Sequence, residues 1–146
     1  MNSVDTNILI YAINNGCTEH ESAVKVYQDM LDSPSQWIVS DQVLFEFYRG
    51  LRHPKILEYP LNHAQAMKQI TFLREESGVL HCAYETSFWD SVKEYGTHST
   101  DRKPVHIFDR VLAITLLQNG VTALYTRNTK DFVEFDFEEI INPIDG

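Results

Sequence analysis

Four carboxylates stand where their surroundings allow chemistry: Asp5 in V-D-T-N-I-L-I, Glu46 in L-F-E-F-Y-R-G, Asp109 in H-I-F-D-R-V-L-A and Asp131 in T-R-N-T-K-D-F. Glu46 is the most diagnostic, because Leu44, Phe45, Phe47 and Tyr48 surround it. A carboxylate is expensive to bury unless it is paired or bound to a metal. Each of the four also has an ordinary structural explanation. Asp5 can cap a helix, Glu46 can pair with Arg49 or Arg110, and Asp131 can cap a short turn. Asp109 can favour the positive end of its helix, a role worth only ~0.3–1 kcal/mol. Jointly these explanations weaken, since all four residues fall just past strand ends or in the first turns of helices. Gathered on one side of a sheet, such carboxylates cannot all remain ionised without a cation, and oxygen-only ligands select Mg²⁺ or Mn²⁺. Phosphodiester hydrolysis suits such a site, because a hard divalent ion orients water, lowers its pKa and neutralises charge building on phosphate oxygens. Thr6, Thr126 and Asn128 are candidates to hold those carboxylates in place, although Thr and Asn beside a turn are also common turn formers.

The elements that must position these residues follow from the hydrophobic pattern. Short apolar runs alternate with longer amphipathic ones, the signature of βαβ units and an α/β fold with a mostly parallel sheet. Strands are expected at 2–4, 37–39, 79–81, 123–125 and around 139–141. Helices are expected over 19–32, 41–51, 62–75, 84–95 and 106–119, with Asn119-Gly120 as the stop of the last. Ile8, Leu9, Ala12 and Ile13 also recur at helical spacing after Asp5. Residues 52–61 and 96–104 read as loops. In such sheets, active sites lie at the C-terminal edge of the strands, where Asp5 would project.

Composition bounds the rest. A chain of 146 residues with 43% hydrophobic content suits one domain over 1–146. No run approaches the ~18 consecutive apolar residues of a membrane span, and the N-terminus lacks the basic and apolar stretches of a secretion signal. A cytoplasmic protein without membrane attachment is expected. Cys17 and Cys82 stand alone, without zinc or disulfide spacing. Twelve Lys and Arg against twenty-one Asp and Glu give a formal net charge of -9, which argues against coating nucleic acid through a general basic field. Local binding remains available, because Arg49, Arg52 and Lys55, and then Arg102, Lys103, Arg110, Arg127 and Lys130, flank the acidic motifs.

The order D-T-N-I-L-I-Y-A, L-F-E-F-Y-R-G, D-R-V-L-A-I-T-L-L-Q-N-G and Y-T-R-N-T-K-D-F, closing on I-I-N-P, resembles the PIN-domain ribonucleases, and specifically the VapC toxins of bacterial toxin–antitoxin modules. The resemblance covers nearly the whole chain. It implies a single PIN-like domain with about five mostly parallel strands flanked by helices, Mg²⁺-dependent endonuclease activity on RNA, a homodimer and an inhibitory antitoxin. Asp5, Glu46 and Asp109 match the family's core acidic positions, with Asn128 and Asp131 both candidates for the last. On this basis Asp5 and Asp109 are expected to be metal ligands, Glu46 a ligand or water-orienting base, and Asp131 with Asn128 the outer edge of the site. Arg49, Arg102, Arg110, Arg127 and Lys130 are candidates to hold the RNA backbone. Apolar and aromatic side chains in 41–51 and 62–75 exceed what one helix stripe buries, which also points to a homodimer. Two rival functions are a PIN-like binding module with weak catalysis and a metal-dependent phosphatase. The second usually needs another Asp two residues after the first, where this chain has Asn7.

Overall fold

The computed structural model describes residues 1–98 and 103–145, with the backbone alone at 95–98; of the basic candidates, Arg102 lies outside the described residues. Strand β1 (Asn2–Val4) leads through helices α1 (Thr6–Ile13) and α2 (His20–Asp32) to β2 (Ile38–Ser40). Helices α3 (Asp41–Leu51) and α4 (His63–Thr71) then connect to β3 (Leu80–Cys82). Helices α5 (Phe88–His98) and α6 (Ile107–Gln118) lead to β4 (Ala123–Tyr125), and β5 (Glu139–Ile141) closes the fold.

Among the described residues every strand pairing is parallel, in keeping with the alternating pattern. The five strands divide into a three-stranded sheet in the order β1-β4-β5 and a two-stranded sheet of β2 and β3. A single bridge between Asn2 and Trp37 and a hydrogen bond from Ser3 Oγ to the Ile38 carbonyl link the two. The chain therefore moves outward from β1 through β2 to β3, then returns to the other side of β1 to lay down β4 and β5. That reversal makes the C-terminal ends of β1 and β4 the switch point of the sheet, where a crevice opens in α/β folds.

Local chemistry explains the boundaries. The Ser40 hydroxyl accepts from the Val43 N–H at 3.2 Å and caps α3. Asn62 and Gln65 form a reciprocal capping box at the start of α4. Gly120, at φ +80°, ends α6 as its sequence position predicts. The 62–75 pattern resolves into α4 followed by a π-helical turn, Phe72–Glu76, closed by the Ser77 N–H to the Phe72 carbonyl at 2.8 Å. Helix α5 continues to His98, into the stretch expected to be loop.

The core is built from Val4, Ile8, Leu9, Met30, Phe47, Leu51, Leu112, Leu116, Leu124 and Phe132, all essentially inaccessible. Gly50 lets α1 and α3 approach closely, since a Cβ there would overlap Ile10 Cδ1. That approach brings the start of α1 against the first turns of α3. Among the described residues, no helix is long and apolar enough to cross a membrane.

Candidate active site

Asp5 follows β1 directly and is 9% exposed. It carries both features the sequence allowed. Its Oδ1 accepts the Thr6 N–H at 2.8 Å and caps α1, while its Oδ2 accepts the Thr126 hydroxyl at 2.8 Å. Val4 pairs with Tyr125, so Asp5 and Thr126 are the equivalent next residues on neighbouring strands. The Asp5 N–H donates to the Tyr125 carbonyl at 2.9 Å. Burial pushes the Asp5 carboxyl up to about 6, beyond what its hydrogen bonds to Thr126 and Thr6 offset, and the charges of Glu46 and Asp109 raise it further.

Glu46 points from α3 toward the same crevice. Its Oε2 accepts the Thr6 hydroxyl at 2.7 Å and its Oε1 accepts Gln42 Nε2 at 3.1 Å. Gln42 Nε2 also donates to the Phe108 carbonyl at 2.9 Å, which ties the Glu46 support to the start of α6. Asp109 lies in the first turn of α6, half-buried, with Oδ2 3.2 Å from His106 Nδ1. Desolvation raises its pKa first, then the negative charge of Asp131; His106 opposes the shift and Glu46 adds to it. Asp131 ends the short 3₁₀ turn Thr129–Asp131 beyond β4.

Mutual repulsion thus links Asp5 to Glu46 and Asp109, and Asp109 to Asp131 and Glu46. The four carboxylates named from the sequence converge at the switch point. Donor atoms of Asp109, Asp131 and His106 lie within 4.8 Å of one another, and Asp5 and Glu46 stand outside that tighter group. Burial together with unrelieved like charge is the arrangement that a divalent cation relieves, so the donor set fits a metal.

Thr6 and Thr126 hydrogen-bond to Glu46 and Asp5 respectively. Asn128 is exposed, and its backbone N–H donates to Thr126 Oγ1 at 3.1 Å. Among the basic candidates, Arg127 is engaged within the chain, 3.2 Å from Glu19 and 3.7 Å from Asp145. Arg49 and Lys130 are exposed and Arg110 is half-buried. Asn7 bridges instead of supplying an acid: its Nδ2 faces Asp5 Oδ2 at 3.4 Å and its Oδ1 accepts the Arg127 N–H at 3.2 Å.

Two site residues escaped the sequence reading. Gln42 lies four positions before Glu46 and His106 three before Asp109, the separations that put side chains on one helical face. Those spacings were the available signal. A histidine inside the group also departs from the expected oxygen-only donors.

The PIN domain family model matches residues 3–138. Ribonuclease VapC24 of Mycobacterium tuberculosis, from strain CDC 1551 / Oshkosh and from strain ATCC 25618 / H37Rv, is 33% identical over 147 residues, covering 99% of this chain and 97% of the relative. Among solved structures, VapC20 of Mycobacterium tuberculosis, described as a sarcin-ricin loop cleaving toxin, superposes with a TM-score of 0.63 at 16% identity, covering 85% of this chain and 87% of its own. VapBC2 from Rickettsia felis, bound to a DNA fragment from its promoter, superposes with a TM-score of 0.65 at 17% identity, covering 97% of each chain. These two likenesses are to the fold.

Proposed function

Because the chain belongs to the PIN-domain family, we propose that it is a Mg²⁺- or Mn²⁺-dependent endoribonuclease acting as the toxin of a cytoplasmic toxin–antitoxin pair. The observation that carries this is the convergence of Asp5, Glu46, Asp109 and Asp131 at the β1/β4 switch point. Identity of 33% to a relative named as a ribonuclease supports the same activity.

Asp5 and Asp109 would hold the ion, with Glu46 as a further ligand or a base that orients the attacking water and Asp131 at the outer edge. When bound, the ion supplies charge neutralisation at the phosphate and a lowered pKa for water. The chain supplies orientation. Thr126 and the Thr6 N–H fix both oxygens of Asp5, and the Thr6 hydroxyl with Gln42 fixes both oxygens of Glu46. Held this way, the carboxylates need no rearrangement as charge develops. Arg49, Arg110 and Lys130 are the side chains proposed to contact the RNA backbone. Arg127 is better placed to brace the turn after β4 against Glu19.

A homodimer and an antitoxin are proposed as protein partners. The groove between α3 and α4, lined by Leu44, Phe45, Tyr48, Met67 and Ile70, offers apolar surface for one of them. The function is tested by incubating purified protein with total RNA and Mg²⁺, with and without EDTA, beside Asp5→Asn. Endonucleolytic cleavage that EDTA and Asp5→Asn both abolish is expected. RNA left intact with Mg²⁺ would instead favour a binding module, and cleavage that persists in EDTA would refute metal dependence.

A further inference from the structure

We propose that His106, Asp109 and Asp131 form a distinct metal position within the site, at which the His106 imidazole is a ligand and a first-row transition-metal dication is preferred over Mg²⁺. The proposal rests on the metal-dependent function above and adds to it both a ligand and a metal preference.

Three metal-ligating side chains are gathered here. One donor atom from each of the three residues lies within 4.8 Å of the others, the one such group of His, Cys, Asp and Glu among the described residues. The 3.2 Å between His106 Nδ1 and Asp109 Oδ2 falls between the separations of about 3.0 and about 3.4 Å that donors about 2.1 Å from one ion take in octahedral and tetrahedral shells.

One stretch of backbone holds two of the three residues. His106 ends the 3₁₀ turn Pro104–His106, and Asp109 follows three residues later in the first turn of α6, so both side chains project from one face. Asp131 comes from the other side of the crevice, on the turn after β4. The side chains of His106 and Asp109 keep 24% and 32% exposure, which leaves a path for an ion to enter.

The donor chemistry then sets the metal. Mg²⁺ takes oxygen ligands and gives up its waters reluctantly. First-row ions accept imidazole, with affinity rising from Mn²⁺ toward Cu²⁺. Mn²⁺, the weakest binder of that series, is therefore the most stringent probe of a nitrogen ligand here. Asp109 faces Glu46 and Asp5 as well as Asp131, so it can serve this position and the one proposed at Asp5.

A simpler role for His106 is to orient Asp109 through their hydrogen bond. Asparagine separates the two, because its amide can donate to Asp109 while removing the imidazole nitrogen. Mn²⁺ and Mg²⁺ binding are measured by calorimetry on RNA-free wild type, His106→Asn, His106→Ala and Asp109→Asn. Pulsed electron paramagnetic resonance of the Mn²⁺-loaded proteins then reads nitrogen coupling to the ion. Wild type should show imidazole coupling, both His106 variants should lose it, and both should bind Mn²⁺ about ten- to a hundredfold more weakly with Mg²⁺ binding unchanged. Bound Mn²⁺ without nitrogen coupling, coupling that persists in His106→Ala, or wild-type Mn²⁺ affinity in His106→Asn would each overturn the proposal. If any of those results accompanies loss of Mn²⁺ binding in Asp109→Asn, the metal-dependent function survives without His106. Wild type that binds neither ion would end both.

Discussion

The Thr126 hydroxyl donates to Asp5 Oδ2 at 2.8 Å, joining residues 121 positions apart at the ends of adjacent parallel strands. The same carboxylate caps α1 through its other oxygen. The cap and the carboxylate proposed to hold the metal are therefore one side chain here, and the two roles can be separated by substitution.

Asp5→Asn keeps an acceptor for the Thr6 N–H and removes one negative charge, so it should abolish RNA cleavage while melting in EDTA at the same temperature as wild type or higher. Asp5→Ala should cost ~0.5–2 kcal/mol through the lost cap. The pH dependence has a definite sign. A carboxyl raised in the folded state from 3.8 to about 6 is stabilising relative to its ionised form at low pH, and that contribution is lost as pH rises through 6. The shift corresponds to a difference on the order of 3 kcal/mol across that window. Wild type in EDTA should gain stability on going from pH 7 toward pH 5, and Asp5→Asn should gain less. Equal gains in the two proteins, or full nuclease activity in Asp5→Asn, would refute this role for Asp5.

Thr6→Val should uncouple orientation from stability. The variant keeps the backbone N–H that Asp5 caps but removes the hydroxyl that holds Glu46 Oε2 at 2.7 Å. A cost of ~0.5–1.5 kcal/mol is expected for one lost hydrogen bond, together with a fall in cleavage rate larger than that stability change explains. Thr6→Ser restores the hydroxyl and should restore the rate. Chemical denaturation beside single-turnover cleavage checks both halves, and a Thr6→Val enzyme as fast as wild type would remove Thr6 from the site.

Much of the architecture was legible because hydrophobic periodicity is a local property. Strands 2–4 and 123–125 and helix 41–51 fall where the pattern put them; Asp5 and Asp109 could be named because each sits beside an element boundary, and Glu46 because apolar neighbours surround it within α3. The misses lie where distant packing decides. β2 and β3 each begin one residue later than expected; Trp37 bridges Asn2 and accepts the Leu80 N–H just before β2, while Ser40, a poor apolar signal, ends β2 and caps α3. The two sheets are joined by that bridge and the Ser3–Ile38 hydrogen bond, long-range contacts that no run of residues encodes. Arg127 looked like a free cation in T-R-N-T-K-D, yet its partner Glu19 is 108 positions away.

That pairing yields a prediction against the first expectation for Arg127. The Arg127–Glu19 pair is only partly buried, with side chains 33% and 22% exposed, so Arg127→Ala should lower the melting temperature modestly and leave the salt dependence of RNA binding unchanged. Lys130→Ala, which removes an exposed cation beside the acidic group, should flatten that dependence. Binding measured across a salt series in both variants checks the contrast. A flatter slope in Arg127→Ala would return that residue to the RNA contact.

The groove between α3 and α4 gives the last prediction. Phe45 is 71% exposed and Met67 38% exposed, beside Leu44, Tyr48 and Ile70. A helix needs one apolar stripe for its own core, and α3 already buries Val43, Leu44, Phe47 and Leu51. Phe45 on another face is apolar surface beyond that need, and such surface next to a groove marks an interface. Self-association through this face should give a species of twice the chain mass by light scattering at high micromolar concentration. Met67→Asp places an unpaired charge in the contact, which is costly to desolvate, and should return the protein to a monomer with its fold retained by circular dichroism. Met67 is 38% exposed in the chain itself, so the substitution tests the contact without opening the core. Wild type that remains monomeric at high micromolar concentration would refute the homodimer and leave the groove to a different chain, which addition of the cognate antitoxin would reveal by burying Phe45 and Met67 from solvent.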